Sequence, residues 1–276
     1  MTAPFRVLAL GDVVGGAGLA AIEARLASLA AELRCDFVVV NGENAAGNGN
    51  GLAARGARRL FAAGANAVTL GDHWFRKADL VPMLNRDYKL LRPANYPPQA
   101  AGKGWQRYQV RGVEVGLLVV QGRVFMEPVD CPFRAADTAL AALAGCDLVL
   151  AEVHAEATSE KHALAFHLDG RVAALWGTHT HVQTADERIL TGGTAYITDL
   201  GMSGPHDGII GREAGPVLSK LRDGMPAPFR VASGDLRLSG IVVEIQGGRA
   251  TAIARVNERV AAKGSAERDD PEPGDE

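Results

Sequence analysis

Two histidines separated by one residue are the most specific chemical feature of the chain. His179 and His181 lie in WGTHTHVQTA, where an apolar run ends in a Gly-Thr turn. Neither position suits a helix or a buried strand, but in an extended turn residues two apart point to the same side. Each imidazole could then donate a nitrogen to one of two ions held about 3.5–4 Å apart. The pair therefore predicts a metal centre.

Further ligand types follow four other apolar runs of the chain. They are Asp12 in GDVVGG, Glu43 and Asn44 in NGENAAGNGNG, Asp72 and His73 in LGDHWF, and His154 in EVHAEATSEK. Carboxylate oxygens mixed with imidazole nitrogens suit manganese, iron, zinc or similar ions. The three carboxylates and four histidines exceed what one ion takes from a protein. The set therefore favours two ions with a carboxylate between them.

The segments that carry these residues alternate between strand and helix patterns. Apolar runs predict strands at 6–10, 37–41, 66–70, 115–121, 147–153 and 172–176. Between them, LAAIEARLASLAAELR, LAARGARRLFAAG, RAADTALAALAG and TSEKHALAFHL predict amphipathic helices. From about residue 186 the pattern is strand-like with few helices, which predicts a second sheet face packed on the first. Because α/β sheets bind ligands at the carboxyl ends of their strands, we expect an α/β protein whose ligand candidates meet at one edge.

Composition narrows the classes of protein. The chain has 276 residues, 47% of them hydrophobic, and a formal net charge of -3, so we expect no nucleic-acid polymer or membrane as a partner. Neither a signal peptide nor an apolar run of membrane-spanning length is visible, and the three cysteines lack CxxC spacing. We therefore expect a cytoplasmic protein with a single domain over residues 1–260. The acidic, proline-containing residues 264–276 predict a disordered tail.

Two other functional classes remain open at this point. The stretch GAGLAA, Gly16 to Ala21, matches a G-x-G-x-x-A dinucleotide fingerprint after a strand, with Glu43 near the place of a ribose-binding acid. The loop before Gly16 is longer than the tight turn of such sites, and this Rossmann-type interpretation leaves His154 and the HxH pair without a role. The second alternative is a non-catalytic regulator that retains a metal site.

Several long motifs together resemble one known family. GDVVG, NGENAA, LGDHWF, LRPANYP, QGR, VHAEATSEK, GTHTHVQTAD and GTAYITDLGMSGPHDGIIG are similar to the YmdB family of calcineurin-like metallophosphoesterases, up to about residue 260. The resemblance implies a metallophosphoesterase-like α/β sandwich, with two mixed sheets flanked by helices, and a homo-oligomer. It also implies a phosphodiesterase with a dinuclear centre that hydrolyses small phosphodiesters, in particular 2′,3′-cyclic nucleotides.

The resemblance also assigns roles to residues. It makes Glu43 the carboxylate that bridges both ions, and His73 a histidine free of the metals that can act as general acid. It completes the two ligand sets with Asp12, Asn44 and His181 for one ion, and Asp72, His154 and His179 for the other. The two ions would be iron, manganese or both, with zinc or magnesium as alternatives, and would activate a hydroxide for attack on phosphorus.

One motif departs from the family pattern. Where the family usually has Gly-Asn-His, this chain has Gly71, Asp72 and His73, so a carboxylate replaces a neutral amide. The exchange lowers the positive charge that a phosphodiester anion meets. Two hypotheses follow: the centre favours an ion of higher charge such as ferric iron, or the enzyme is slower and binds substrate less tightly. Asp72 is also the only support in the sequence for the non-catalytic regulator.

Three further residues are candidates for substrate binding. Arg92 and Asn95 in LRPANYP and Arg123 in QGR lie near predicted strand ends. Either arginine could meet a phosphate or a base. Each arginine could equally be a structural ion-pair partner.

Overall fold

The strands and helices follow the alternating pattern of the sequence. The computed structural model describes residues 3–261. Its strands are β1 (Phe5–Leu10), β2 (Asp12–Val13), β3 (Phe37–Asn41), β4 (Ala67–Thr69), β5 (Leu90–Leu91), β6 (Trp105–Val110), β7 (Val113–Gln121), β8 (Leu148–His154), β9 (Ala174–Thr178), β10 (Arg188–Ile189), β11 (Ala195–Ile197), β12 (Met202–Pro205), β13 (Leu236–Gln246) and β14 (Arg249–Arg259). Its helices are α1 (Gly15–Glu32), α2 (Ala54–Ala62), α3 (Val81–Leu84), α4 (Pro132–Ala142), α5 (Thr158–Leu168) and α6 (Ala214–Asp223), with a 3-10 turn at Ala78–Leu80.

The strands form two mixed sheets. The first has the order β2-β12-β13-β1-β3-β4-β5, with β14 paired to β13, and its strands β1, β3, β4 and β5 run parallel. The second has the order β10-β11-β9-β8-β7-β6, and its strands β7, β8, β9 and β11 run parallel. In each sheet the carboxyl ends of the parallel strands therefore reach one common edge.

Alternation along the strands creates three apolar layers. In β1, Val7 and Ala9 pack between the two sheets, whereas Leu8 and Leu10 pack with residues of α1 such as Ile22. On the second sheet, side chains of α4 and α5 cover the opposite face. Because successive strand residues point to opposite faces, strands covered on both sides carry near-continuous apolar runs. The result is a helix, sheet, sheet, helix sandwich, and the predicted fold class is confirmed.

The chain assigns its strands to the two sheets differently from the prediction. The six predicted strands correspond to β1, β3, β4, β7, β8 and β9, but the centre of the second sheet comes from residues 113–178 and not from the region after residue 186. The long strand β13 pairs with β1 in the first sheet instead. Strand pairing is a long-range choice that a local apolar pattern does not specify. The predicted helix-poor region also contains α6.

The predicted domain begins at residue 1, and the predicted tail ends at residue 276. The single domain over residues 1–260 stays a prediction, and the predicted disordered tail over 264–276 lies outside the described residues. Within residues 3–261, none of the helices combines the length and the apolar character needed to cross a membrane.

Candidate metal centre

Five strand ends place the predicted ligands at the common edge of the two sheets. Asp12, Glu43 and Asp72 follow β1, β3 and β4 of the first sheet, while His154 ends β8 and His179 follows β9 of the second. The centre is therefore built from both sheets at the carboxyl ends of parallel strands, where α/β proteins bind ligands.

Asp72, His154 and His179 form one group of donor atoms. Nε2 of His154 lies 3.0 Å from Oδ1 of Asp72 and 3.1 Å from Nδ1 of His179, which is itself 3.5 Å from the same carboxylate oxygen. One donor atom from each residue lies within 4.8 Å of the other two. A carboxylate oxygen and two imidazole nitrogens that converge in this way can bind a single cation.

A second group consists of Glu43, Asp72 and His73. Oε1 of Glu43 accepts a hydrogen bond of 2.7 Å from the His73 backbone N–H and lies 3.6 Å from Nε2 of His154. Oε2 accepts a hydrogen bond from the Gly71 backbone N–H. Asp72 belongs to both groups, and Glu43 also borders both. The carboxylates of Glu43 and Asp72 therefore both lie beside His154 and beside His73.

Asp12, Asn44 and His181 lie together on the other side of Glu43. Nε2 of His181 is 3.2 Å from the Asn44 amide nitrogen and 3.9 Å from Oδ1 of Asp12. Nδ1 of His181 lies 3.0 Å from the backbone oxygen of Ile210, so that a proton on Nδ1 leaves the Nε2 lone pair facing Asp12. Oδ1 of Asp12 is buried and has no hydrogen-bond partner within residues 3–261. A buried carboxylate oxygen without a partner is costly, and a bound cation would satisfy it.

The electrostatics of the group also fit a cation. Burial raises the pKa of Glu43 to about 8, with the negative charges of Asp72 and Asp12 acting in the same direction and His154 opposing them. Burial disfavours the charged ring of His154, yet Glu43 and Asp72 raise its pKa to about 10. Carboxylates that are close together and removed from water need positive charge nearby. Protons on the ring of His154 supply such charge, and bound cations would replace them.

Backbone conformation at the HxH pair differs from the predicted extended turn. His179 has a φ of 100° and His181 a φ of 65°, so both occupy the left-handed region that is sparsely populated by residues other than glycine. The backbone N–H and the hydroxyl of Thr180 donate hydrogen bonds of 3.2 and 2.9 Å to Asp199, whose carboxylate also pairs with Lys161 at 2.7 Å. This buried ion pair between Lys161 and Asp199 holds the turn. His179 lies with Asp72 and His154, whereas His181 lies with Asp12 and Asn44.

Position 71 requires a glycine because its backbone lies directly against the imidazole ring of His154. A β-carbon at this position would collide with the imidazole of His154. The glycine therefore lets the loop that carries Asp72 and His73 approach the end of β8. The same close approach lets the Gly71 backbone N–H reach Glu43.

The predicted general acid lies at the border of the centre. Nδ1 of His73 is 2.9 Å from Oδ1 of Asn44, and Nε2 is 3.7 Å from Oδ2 of Asp72. The side chain is 28% exposed, which leaves one edge of the ring accessible to a ligand. Burial lowers the pKa of His73, while the charge of Asp72 raises it.

The predicted substrate-binding residues have different surroundings. The Arg92 guanidinium is buried and donates hydrogen bonds to the backbone oxygens of Pro93, Ala100 and Ala101. Asn95 is buried as well and exchanges hydrogen bonds with the backbone of Gln121. Both side chains therefore hold loops, and the partners of Arg92 in these hydrogen bonds are backbone oxygens where the structural alternative expected an ion pair. Arg123 is exposed, and its backbone N–H donates to the Glu160 carboxylate.

Sequence reasoning did not single out several residues that contact the predicted ligands. Oε2 of Glu156 lies 3.2 Å from Nε2 of His179, the ring nitrogen that faces away from Asp72. Oγ1 of Thr178 lies 2.9 Å from Nδ1 of His154. The only signal in the sequence was that Glu156 and Thr178 lie close to a histidine in the motifs VHAE and GTHTH. This signal is weak, because a glutamate or threonine near a histidine is common without such a contact.

The packing of the glycine-rich stretch weighs against the dinucleotide alternative. The stretch lies inside α1, and Gly18 lets this helix approach the Ser203 backbone of β12, where a β-carbon would not fit. The short strand β2 lies between β1 and this stretch, and β1 pairs with β3 on one side and with the antiparallel β13 on the other. In a Rossmann sheet that strand lies between parallel neighbours. These glycines therefore serve helix packing.

Comparisons with known proteins agree with this architecture. The family profile of YmdB-like proteins matches residues 8–256. The 2′,3′-cyclic-nucleotide 2′-phosphodiesterase of Bacillus subtilis (strain 168) is 42% identical over 241 residues, 87% of this chain and 91% of the relative.

Two solved structures are similar along nearly the whole chain. A hypothetical protein from Thermus thermophilus has 44% identity and a TM-score of 0.88, with 92% of this chain and 99% of the other covered. A novel phosphatase from Mycoplasma pneumoniae has 32% identity and a TM-score of 0.87, with 94% and 95% covered. With its family profile, its relatives and its fold in agreement, the chain belongs to the YmdB-like protein family.

Proposed function

We propose that the protein is a metal-dependent phosphoric diester hydrolase and that its substrates are 2′,3′-cyclic nucleotides. One observation carries the proposal: donor atoms of Asp72, His154 and His179 converge beside a second set in which a buried oxygen of Asp12 lacks a partner among residues 3–261. Such an arrangement fits a two-metal site. The activity for which the Bacillus subtilis relative is named supports the choice of a cyclic nucleotide phosphodiester.

The chain offers a complete ligand set for two ions. Asp72, His154 and His179 would hold one ion and Asp12, Asn44 and His181 the other, and Glu43 would serve both sets. Oxygen and imidazole donors in this mixture suit iron and manganese, with zinc or magnesium as alternatives. When bound, the two ions would neutralise phosphate charge and lower the pKa of a water molecule.

His73 would move a proton during the reaction. Asn44 fixes the orientation of its ring by accepting a hydrogen bond from Nδ1 at 2.9 Å. When the ring carries a proton on both nitrogens, Nε2 is then the atom that can give its proton to the ribose oxygen as the bond from that oxygen to phosphorus breaks. Arg123, which is exposed two residues after the end of β7, is the remaining candidate for a contact with the phosphate or the base.

Two wider proposals concern the state of the protein. We propose a homo-oligomer, and the apolar side chains exposed on and after α6, Leu218, Leu221 and Met225, support it. We also place the protein in the cytoplasm. Its three free cysteines are in keeping with a reducing compartment.

Hydrolysis of 2′,3′-cyclic AMP by the purified protein with added Mn²⁺ tests the function. We expect metal-dependent turnover to a nucleoside monophosphate, resolved by chromatography of the products. Asp12→Asn should abolish it, whereas His162→Ala, at a partly exposed position of α5 whose ring lies beside Tyr196, should keep it. Tight nucleotide binding without turnover would favour the non-catalytic regulator, the alternative that the unusual carboxylate of Asp72 supports.

A further inference from the structure

Glu152 is a buried carboxylate at the junction of the two sheets, two residues before His154. Oε1 accepts hydrogen bonds from Asn41 Nδ2 at 2.6 Å and from the Thr178 hydroxyl at 3.0 Å. Oε2 accepts from the Thr69 hydroxyl at 2.6 Å and from Trp176 Nε1 at 3.1 Å. Asn41 and Thr69 belong to the first sheet, whereas Trp176 and Thr178 belong to the second. One carboxylate therefore links both sheets.

The hydrogen-bond donors around Glu152 favour a carboxylate over any other side chain at this position. The Trp176 indole can only donate, and the Asn41 amide is oriented because its oxygen accepts the Glu43 backbone N–H at 2.9 Å. Each oxygen of Glu152 thus faces a group that cannot accept. A glutamine would place its NH₂ against one of these donors. Burial raises the pKa of Glu152, and the hydrogen bonds from Thr69 and Asn41 oppose that rise.

Two of the four groups that donate to Glu152, Asn41 and Thr178, also form hydrogen bonds with predicted metal ligands. Asn41 holds the backbone of Glu43, as described above. The Thr178 hydroxyl has one proton, and because that proton is donated to Glu152, the oxygen accepts the N–H of His154 Nδ1 at 2.9 Å. A proton on Nδ1 makes Nε2 the atom with a lone pair for a cation. Nε2 is the nitrogen that faces Asp72 and His179.

We propose that Glu152 is a positioning residue of the metal centre, which orients His154 through Thr178 and Glu43 through Asn41. This inference rests on the proposed function, because it concerns the same metal ions. Ligating histidines are oriented by the group that accepts their second N–H, and loss of such a group costs about 10–100-fold in metal affinity. Here the acceptor is a hydroxyl whose direction a buried carboxylate sets.

Two threonines provide a matched test. The hydroxyls of Thr69 and Thr178 both donate to Glu152, and both side chains are 0% exposed. Of these two hydroxyls, within residues 3–261, only that of Thr178 also contacts the ring of a predicted ligand, His154. Replacing each with valine removes one hydroxyl at nearly constant volume. The two variants therefore separate a role in metal binding from a role in sheet packing alone.

The experiment is a titration of the full-length variants with Mn²⁺, with the free ion followed by electron paramagnetic resonance, and urea unfolding without metal in parallel. We expect Thr178→Val and Thr69→Val to lose similar stability. We expect Thr178→Val to lose at least about tenfold in Mn²⁺ affinity and Thr69→Val less than about threefold. Thr178→Ser, which keeps the hydroxyl, should bind Mn²⁺ like the unchanged protein.

Several outcomes would overturn the inference. Equal affinities in the two valine variants, or a Thr178→Ser variant as weak as Thr178→Val, would show that Glu152 supports only the fold. Glu152→Gln is a second, independent variant, and full Mn²⁺ affinity in it would also overturn the inference. These results leave the proposed function standing. An unchanged protein that binds no Mn²⁺ would contradict the proposed function and this inference with it.

Discussion

Oδ1 of Asp72 lies 3.0 Å from Nε2 of His154 and 3.5 Å from Nδ1 of His179. A carboxylate therefore occupies the place where the Gly-Asn-His pattern would put a neutral amide. Burial raises the pKa of Asp72, but the hydrogen bonds from His154 and His179 outweigh it, so that the net shift is downward. The carboxylate is thus a charged member of the centre, and its charge has consequences for metal choice and catalysis.

Replacement of Asp72 by asparagine tests those consequences. Asp72→Asn keeps an oxygen ligand but removes one negative charge, so we expect the purified protein to contain less ferric iron. We also expect kcat/KM for 2′,3′-cyclic AMP to rise about tenfold, because a phosphodiester meets a more positive site. Metal analysis by mass spectrometry and steady-state kinetics check both expectations. If neither quantity changes, both hypotheses about this carboxylate are wrong.

Replacement of His73 separates proton transfer from metal binding. His73→Ala should lower kcat by about 100-fold or more, while both metal ions stay bound. With bis-p-nitrophenyl phosphate, whose leaving group needs no proton, the loss should be much smaller. Kinetics on the two substrates and metal analysis of the same preparation measure this. An equal loss of metal and activity would contradict the assignment of Nε2 as the proton donor.

Gly71 provides a steric prediction with an internal control. In Gly71→Ala the new methyl group would collide with the His154 ring, so the loop or the ring must move. We expect a loss of about 1–3 kcal/mol in the free energy of unfolding and weaker Mn²⁺ binding. Gly47→Ala is the control, because a β-carbon there meets nothing within 4 Å and the residue is exposed. Urea unfolding and Mn²⁺ titration of both variants give the comparison.

Tyr196 predicts how stability changes at alkaline pH. Burial raises the pKa of its phenol to about 12, and its hydroxyl lies 2.9 Å from the Thr198 hydroxyl. The unfolded chain ionises near pH 10, so folding keeps a proton that the unfolded chain releases. This contribution, about 2–3 kcal/mol, is complete below pH 10 and is lost as pH rises towards 12.

Urea unfolding between pH 8 and pH 11 measures the effect. Tyr196→Phe has no phenol to ionise, so its stability should fall less steeply above pH 10. Tyr96 and Tyr108 also have raised pKa values, and their ionisation keeps part of the slope in the variant. Parallel curves for the two proteins would contradict a raised pKa at Tyr196.

Much of the candidate site could be predicted because its residue types sit at strand ends. Asp12, Glu43, Asp72, His154 and His179 each follow an apolar run, and parallel pairing brings such positions to one edge. The predicted extended turn at the HxH pair was wrong, because Asp199 and the buried Lys161 hold it in a left-handed conformation. Those two residues are distant in sequence from the turn, so no local pattern indicates them.

The kinds of ligand and the alternation of strand and helix could be predicted from residue types and from periods of a few residues. The sheet that each strand joins, the nitrogen of each histidine that faces the other ligands, and the contacts of Asp72 with both His154 and His179 depend on how distant segments pack. Contacts such as that between Asn41 and Glu152, 111 residues apart, form only when the two sheets pack. Their geometry depends on burial and on the direction of each donor, and neither is encoded in neighbouring residues.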